Sequence, residues 1–164
     1  MLHPLRRARI CVSIVMLGLF VSGVTAFPLE TELRGFVRLL QRPVLLHFAT
    51  QSHLLPWFSR VLKALADTNA RYPFLAYGTD WLAFAHIVLA ILFVGPYIDP
   101  VRNKWVLQFG LIACAGVIPL TLIAGPIRTI PFGWSLIDSS FGIFGCIPLL
   151  IVLHDVRRLE AASA

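Results

Sequence analysis

The sequence predicts an all-α integral membrane protein, a four-helix bundle with external amphipathic helices between spans one and two. Three observations predict it. Four stretches, Ile10–Phe27, Trp81–Tyr97, Trp105–Ala124 and Phe132–Leu153, are apolar over about the 20 residues that a helix needs to cross a bilayer. The chain is 58% hydrophobic and 13% charged, with a mean hydropathy of +0.82. A soluble domain is about 25% charged, so a single soluble core would leave much of this apolar surface in water. Thirdly, Lys and Arg collect between the apolar stretches in an alternating order.

The first stretch follows Arg6, Arg7 and Arg9 and ends at Val24-Thr25-Ala26-Phe27. An uncleaved anchor that keeps Met1 is the first reading. A secretory signal cleaved after the small residues is the second. Residues 1–27 thus form an N-terminal anchor or signal, and 28–79 a segment outside the membrane. Residues 80–164 form a region of three spans with a short cytoplasmic tail.

In the outer segment Leu29, Leu33, Phe36, Val37 and Leu40 recur at helical spacing, and Pro43 ends that helix. A second helix starts near Pro56, since proline suits a first helical turn. Its Trp57, Phe58, Val61, Leu62 and Leu65 share one face, with Arg60 and Lys63 opposite. Between them Val44–Leu55 is too polar to span and too apolar to stand in water. These pieces are expected to lie on the outer interface or to cap the bundle. His47 and His53 are six apart, which is not a one-face metal spacing on a helix.

Short cytoplasmic loops gather Lys and Arg. Arg6, Arg7 and Arg9, then Arg102 and Lys104, then Arg157 and Arg158 fall on one side of a four-span chain, which places both termini in the cytoplasm. The loop between spans three and four holds only Arg128. Six cations between 28 and 79 do not oppose this, because long loops translocate largely regardless of charge. Trp81 and Trp134 suit outer ends, Tyr97 and Trp105 inner ends, as amphipathic rings prefer headgroup depth.

Ionisable groups within spans usually face a partner or a cavity. His86 and Asp138 each lie about 9 Å from the outer end of their span, at 1.5 Å per residue. Thr121 lies at a similar depth. Ser135, Asp138, Ser139, Gly142, Gly145 and Cys146 share one face of span four. Thr79, Ala83, His86 and Ala90 share one on span two, and Gly110, Cys114 and Thr121 one on span three. Small residues let membrane helices approach closely, so these stripes are expected to face other helices. Two readings follow. In one, His86 and Asp138 are a structural pair that locks the bundle. In the other, His86, Asp138, Thr121, Ser139, Arg128 and Asp80 line an outward-facing ligand-binding pocket for a proton, an ion or a small polar head group.

No catalytic motif is present. A lone Asp–His pair lacks a third metal ligand, and no nucleophile stands beside it. Cys11, Cys114 and Cys146 form no C-x-x-C pair and read as small packing residues. No cofactor and no metal are expected. The net charge of +6 is spread among apolar spans and not gathered in a basic groove, so no nucleic-acid partner is expected either. Pro119 and Pro148 fall within spans, while Pro96, Pro126 and Pro131 mark ends.

Thr68-Asn69-Ala70-Arg71-Tyr72-Pro73 running into Asp80-Trp81, Asp99-Pro100-Val101-Arg102-Asn103 before Trp105, and Ala124-Gly125-Pro126-Ile127-Arg128 through Asp138 carry a resemblance. Over about the C-terminal two thirds the chain resembles small uncharacterised bacterial inner-membrane proteins. The resemblance implies a membrane location and no catalytic activity. The expected partners are the lipid bilayer and another membrane protein, and the expected role is that of a non-enzymatic scaffold, accessory or binding protein. A carrier or sensor of a small polar ligand or protons is the second expectation, and a membrane-embedded enzyme the third. Oligomeric state is left open by the sequence.

Overall fold

The computed structural model describes residues 3–163, so the expectation about Met1 lies outside the described residues. The described chain is helical almost throughout. The elements are α1 (Pro4–Ala26), α2 (Leu29–Leu40), α3 (Pro43–Gln51), α4 (Leu54–Arg71), a 3-10 turn (Pro73–Ala76), α5 (Tyr77–Leu92), α6 (Val94–Ile98), α7 (Lys104–Ile127) and α8 (Phe132–Ser163). Four helical stretches, Pro4–Ala26, Pro73–Ile98, Lys104–Ile127 and Phe132–Ala161, are long and apolar enough to cross a membrane.

The chain divides into two compact units. Unit 1 is Met1–Leu19 with Leu89–Ala164, and unit 2 is Phe20–Val88. Both α1 and α5 pass from one unit into the other.

In unit 1 the core is a cluster of Ala8, Cys11, Val12, Phe93, Leu107, Leu149, Val152 and Val156. It follows from helical periodicity: Leu149, Val152 and Val156 recur at intervals of three and four and fall on one face of α8. α7 and α8 meet through their small residues. A Cβ added at Gly142 would run into the carbonyl of Cys114, so the two backbones touch where only glycine leaves room. The three cysteines are free thiols.

The loop from α6 to α7 is held by side chains. Asp99 Oδ1 accepts from the N–H groups of Val101 and Arg102 at 3.1 and 3.0 Å. Asn103 Nδ2 donates to the carbonyls of Gly95 and Asp99. Between α7 and α8, Thr129 adopts a left-handed φ of 55°, and the Ile130 N–H returns to the Gly125 carbonyl at 2.9 Å.

In unit 2, α2 carries Glu30 and Glu32 in its first turn and Arg38 in its last, each matching the sign of the helix dipole. Phe36 on α2 and Phe58 on α4 meet edge to face, with ring centroids 4.8 Å apart. Gly23 on α1 lies against α5, where an added Cβ would come within 2.8 Å of the Ala83 carbonyl oxygen.

Several boundaries differ from the sequence reading. Pro43 does not only end a helix but begins α3, behind an extended Arg42 (φ −67°, ψ 144°). The residue before a proline is pushed out of the helical region, and proline itself suits the first helical position. Val44–Leu55 is therefore mostly helix, closed by His53 at a left-handed φ of 57°. Pro126 is the penultimate residue of α7, which ends at Ile127. Pro96 is buried within α6. The last span continues as helix beyond Leu153, because its polar tail, Arg157 to Glu160, is made of strong helix formers.

Candidate functional site

The six residues of the predicted polar layer fall in both units. Thr121, Arg128, Asp138 and Ser139 belong to unit 1, and Asp80 and His86 to unit 2.

In unit 1, the hydroxyls of Thr121 on α7 and Ser139 on α8 are 2.7 Å apart. Ser139 is 8% exposed and its hydroxyl lies 2.8 Å from the Ser135 carbonyl, as that of Thr121 lies 3.0 Å from the Ile118 carbonyl, so one hydroxyl donates to the other while the second donates back to its own helix. Asp138 precedes Ser139 on α8 and is half-buried, a third of a turn away from this contact. Arg128 is exposed and caps α7 through its backbone N–H.

In unit 2, His86 Nδ1 lies 2.8 Å from the Leu82 carbonyl oxygen. A carbonyl only accepts, so Nδ1 carries the proton, and Nε2 is the nitrogen left for other partners. Asp80 lines a cavity of about 210 Å³, together with Thr79, Glu30, Asn69 and the turn after α1. Glu30 is tied on both oxygens. Arg34 donates to Oε1 at 2.6 Å, and the Asn69 amide to Oε2 at 2.8 Å. The Asn69 hydrogen bond, then the Arg34 pair, hold the Glu30 carboxyl below its ordinary value. The Asn69 carbonyl oxygen is buried with no hydrogen-bond partner among the described residues.

The ion pairs went unread in the sequence. Arg7 on α1 pairs with Asp155 on α8 through both carboxylate oxygens, and Asp155 has 0% exposure. A signal for it exists. Asp155 shares the face of α8 that carries Leu149, Val152 and Val156, and a carboxylate on a buried apolar face requires a cation. At the same end, Lys104 Nζ pairs with Glu160 at 2.8 Å. The Arg9 guanidinium donates to the Tyr97 and Ile98 carbonyls at 3.2 and 3.5 Å and stands 5.8 Å from the Tyr97 ring centroid. The Glu30–Asn69 contact, 39 residues apart, has no local signal.

Among the described residues no group of three or more His, Cys, Asp or Glu side chains is placed to hold a metal ion. The cavity at Asp80 has the means to bind a small polar group, through a carboxylate and the Thr79 hydroxyl. Comparison with protein-family models, with curated proteins and with solved structures returns no match.

Proposed function

We propose that this chain is a multi-pass protein of a bacterial inner membrane, a four-helix bundle with both termini in the cytoplasm, that acts without catalysis as a small scaffold or accessory protein. The Arg7–Asp155 pair is the observation that carries this reading. The wholly buried carboxylate of unit 1 is closed by a cation from the same unit, so it serves to fix helices and not to react. The Thr121–Ser139 contact is spent in the same way. Large apolar side chains such as Phe141 and Ile123 remain 69% and 64% exposed and suit lipid or a partner helix.

The cavity at Asp80 favours a second reading, a carrier or sensor of a small polar ligand or of protons. Reconstitution in sealed vesicles separates the two. A scaffold leaves proton and solute leak at the level of empty vesicles. A leak that disappears in Asp80→Asn replaces the scaffold with the carrier. The topology is tested by reporters: one fused after Arg158 is expected to behave as cytoplasmic, and one inserted near Asn69 as periplasmic.

A further inference from the structure

Trp105 and Gln108 on α7 recur with Ile112 at i, i+3 and i+7, one face of the helix. On α8, Leu150, His154 and Arg157 recur at i, i+4 and i+7. Together these two faces line an open groove of about 520 Å³ within unit 1. The two helices run in opposite directions here, so the apolar Ile112 and Leu150 lie at one end and the polar residues at the other. Seven residues separate those ends on each helix, about 10 Å at 1.5 Å per residue. Trp105 is 66% exposed, at the start of a helix that the sequence reads as a span. An indole with its N–H free to reach headgroups prefers this depth.

The charge at the polar end is not used up by the protein. Lys104 is engaged by Glu160, Arg7 by Asp155, and Arg9 by backbone carbonyls. Arg157, His154 and Gln108 form no such contact among the described residues, and no carboxylate lines the groove. An exposed guanidinium at the polar end of an apolar slot suits an anion at headgroup depth, and the slot suits hydrocarbon. A glycerophospholipid carries both on one molecule. A zwitterionic headgroup would bring its ammonium beside Arg157 with no carboxylate to receive it, so the fit is to a lipid of net negative charge.

We propose that the α7–α8 groove binds one anionic phospholipid, its phosphate against Arg157, His154 and Gln108 and one acyl chain along Ile112 and Leu150. The proposal rests on α7 and α8 being membrane spans and not on which leaflet their ends reach.

Native mass spectrometry of the full, delipidated chain tests it, with equimolar phosphatidylglycerol and phosphatidylcholine of matched acyl chains. The natural chain is expected to retain the anionic lipid roughly fivefold over the zwitterionic one, about the effect of one basic residue at an anionic surface. Arg157→Gln is expected to bring the ratio close to one, and Arg157→Lys to keep most of it. Leu150→Trp fills the slot and is expected to lower retention of the anionic lipid. Arg38→Gln, on α2, is expected to leave the ratio unchanged. Equal retention of both lipids by the natural chain overturns the proposal. So does an undiminished preference in Arg157→Gln, or undiminished retention of the anionic lipid in Leu150→Trp, when circular dichroism shows the helices intact.

Discussion

Arg7 Nε donates to Asp155 Oδ2 at 2.7 Å, and a second guanidinium nitrogen of Arg7 reaches Oδ1. The two residues are 148 positions apart, so this fork joins the beginning of the chain to its last helix. Arg7 is 40% exposed and Asp155 is not exposed at all. That asymmetry predicts unequal consequences. In Arg7→Ala a buried carboxylate loses its partner and is left uncompensated, which is expected to be clearly destabilising. In Asp155→Ala the surviving guanidinium still reaches water along its flexible stem, so the loss is expected to be smaller. Thermal unfolding of the detergent-solubilised variants measures the order, and equal or reversed losses would show that Asp155 does not depend on Arg7.

The Thr121–Ser139 contact predicts a modest coupling. Hydrogen bonds between membrane helices contribute about 0.6 kcal/mol on average. Thr121→Val and Ser139→Ala each remove it while nearly keeping the shape of the side chain. A double-mutant cycle is expected to return a coupling of that order, because both singles lose the same bond. Additive losses would place the two hydroxyls apart.

Glycine positions on the spans are expected to divide sharply. Gly142 faces the Cys114 carbonyl, whereas a Cβ at Gly116 meets nothing within 4 Å. Gly142→Ala forces α7 and α8 apart and is expected to destabilise by about 1–3 kcal/mol, as overpacking does. Gly116→Ala is expected to be neutral or stabilising by up to about 1 kcal/mol, from the helix preference of alanine. A thermal melt in which the two variants behave alike would remove the close approach of the two helices.

Glu30 predicts an acid-sensitive step in unit 2. Its folded pKa is held below the ordinary 4.5, by Asn69 first and Arg34 next. Its stabilisation is therefore present above the unfolded pKa and is lost as pH falls from about 4.5 through the lower folded pKa. From about pH 6.5 down to about pH 5 the natural chain is expected to keep most of this contribution, and to shed it as the pH falls past 4.5. Glu30→Gln is expected to start less stable and to show a shallower acid limb. Parallel acid limbs for the two proteins would mean that Glu30 titrates alike in the folded and unfolded states.

The sequence by itself determined where the long apolar helices run and that amphipathic helices α2 and α4 lie between the first two of them, with α4 beginning at Leu54, two residues before the Pro56 that marked it. Those are local properties, set by the run length that hydrocarbon demands and by a 3.6-residue period. It also marked the small and polar faces of α7 and α8, since Thr121, Ser139, Cys114 and Gly142 stand on one stripe each. Tertiary structure alone decided which residue on each stripe meets which. The pairs Arg7–Asp155 and Glu30–Asn69 join positions far apart in the chain, and no window of sequence contains both partners. It likewise decided α3, where the apolar and polar residues of Val44–Leu55 follow no clean period. There a proline that reads as a stop serves as a start, because the conformation of Arg42 before it turns the chain into a new helix.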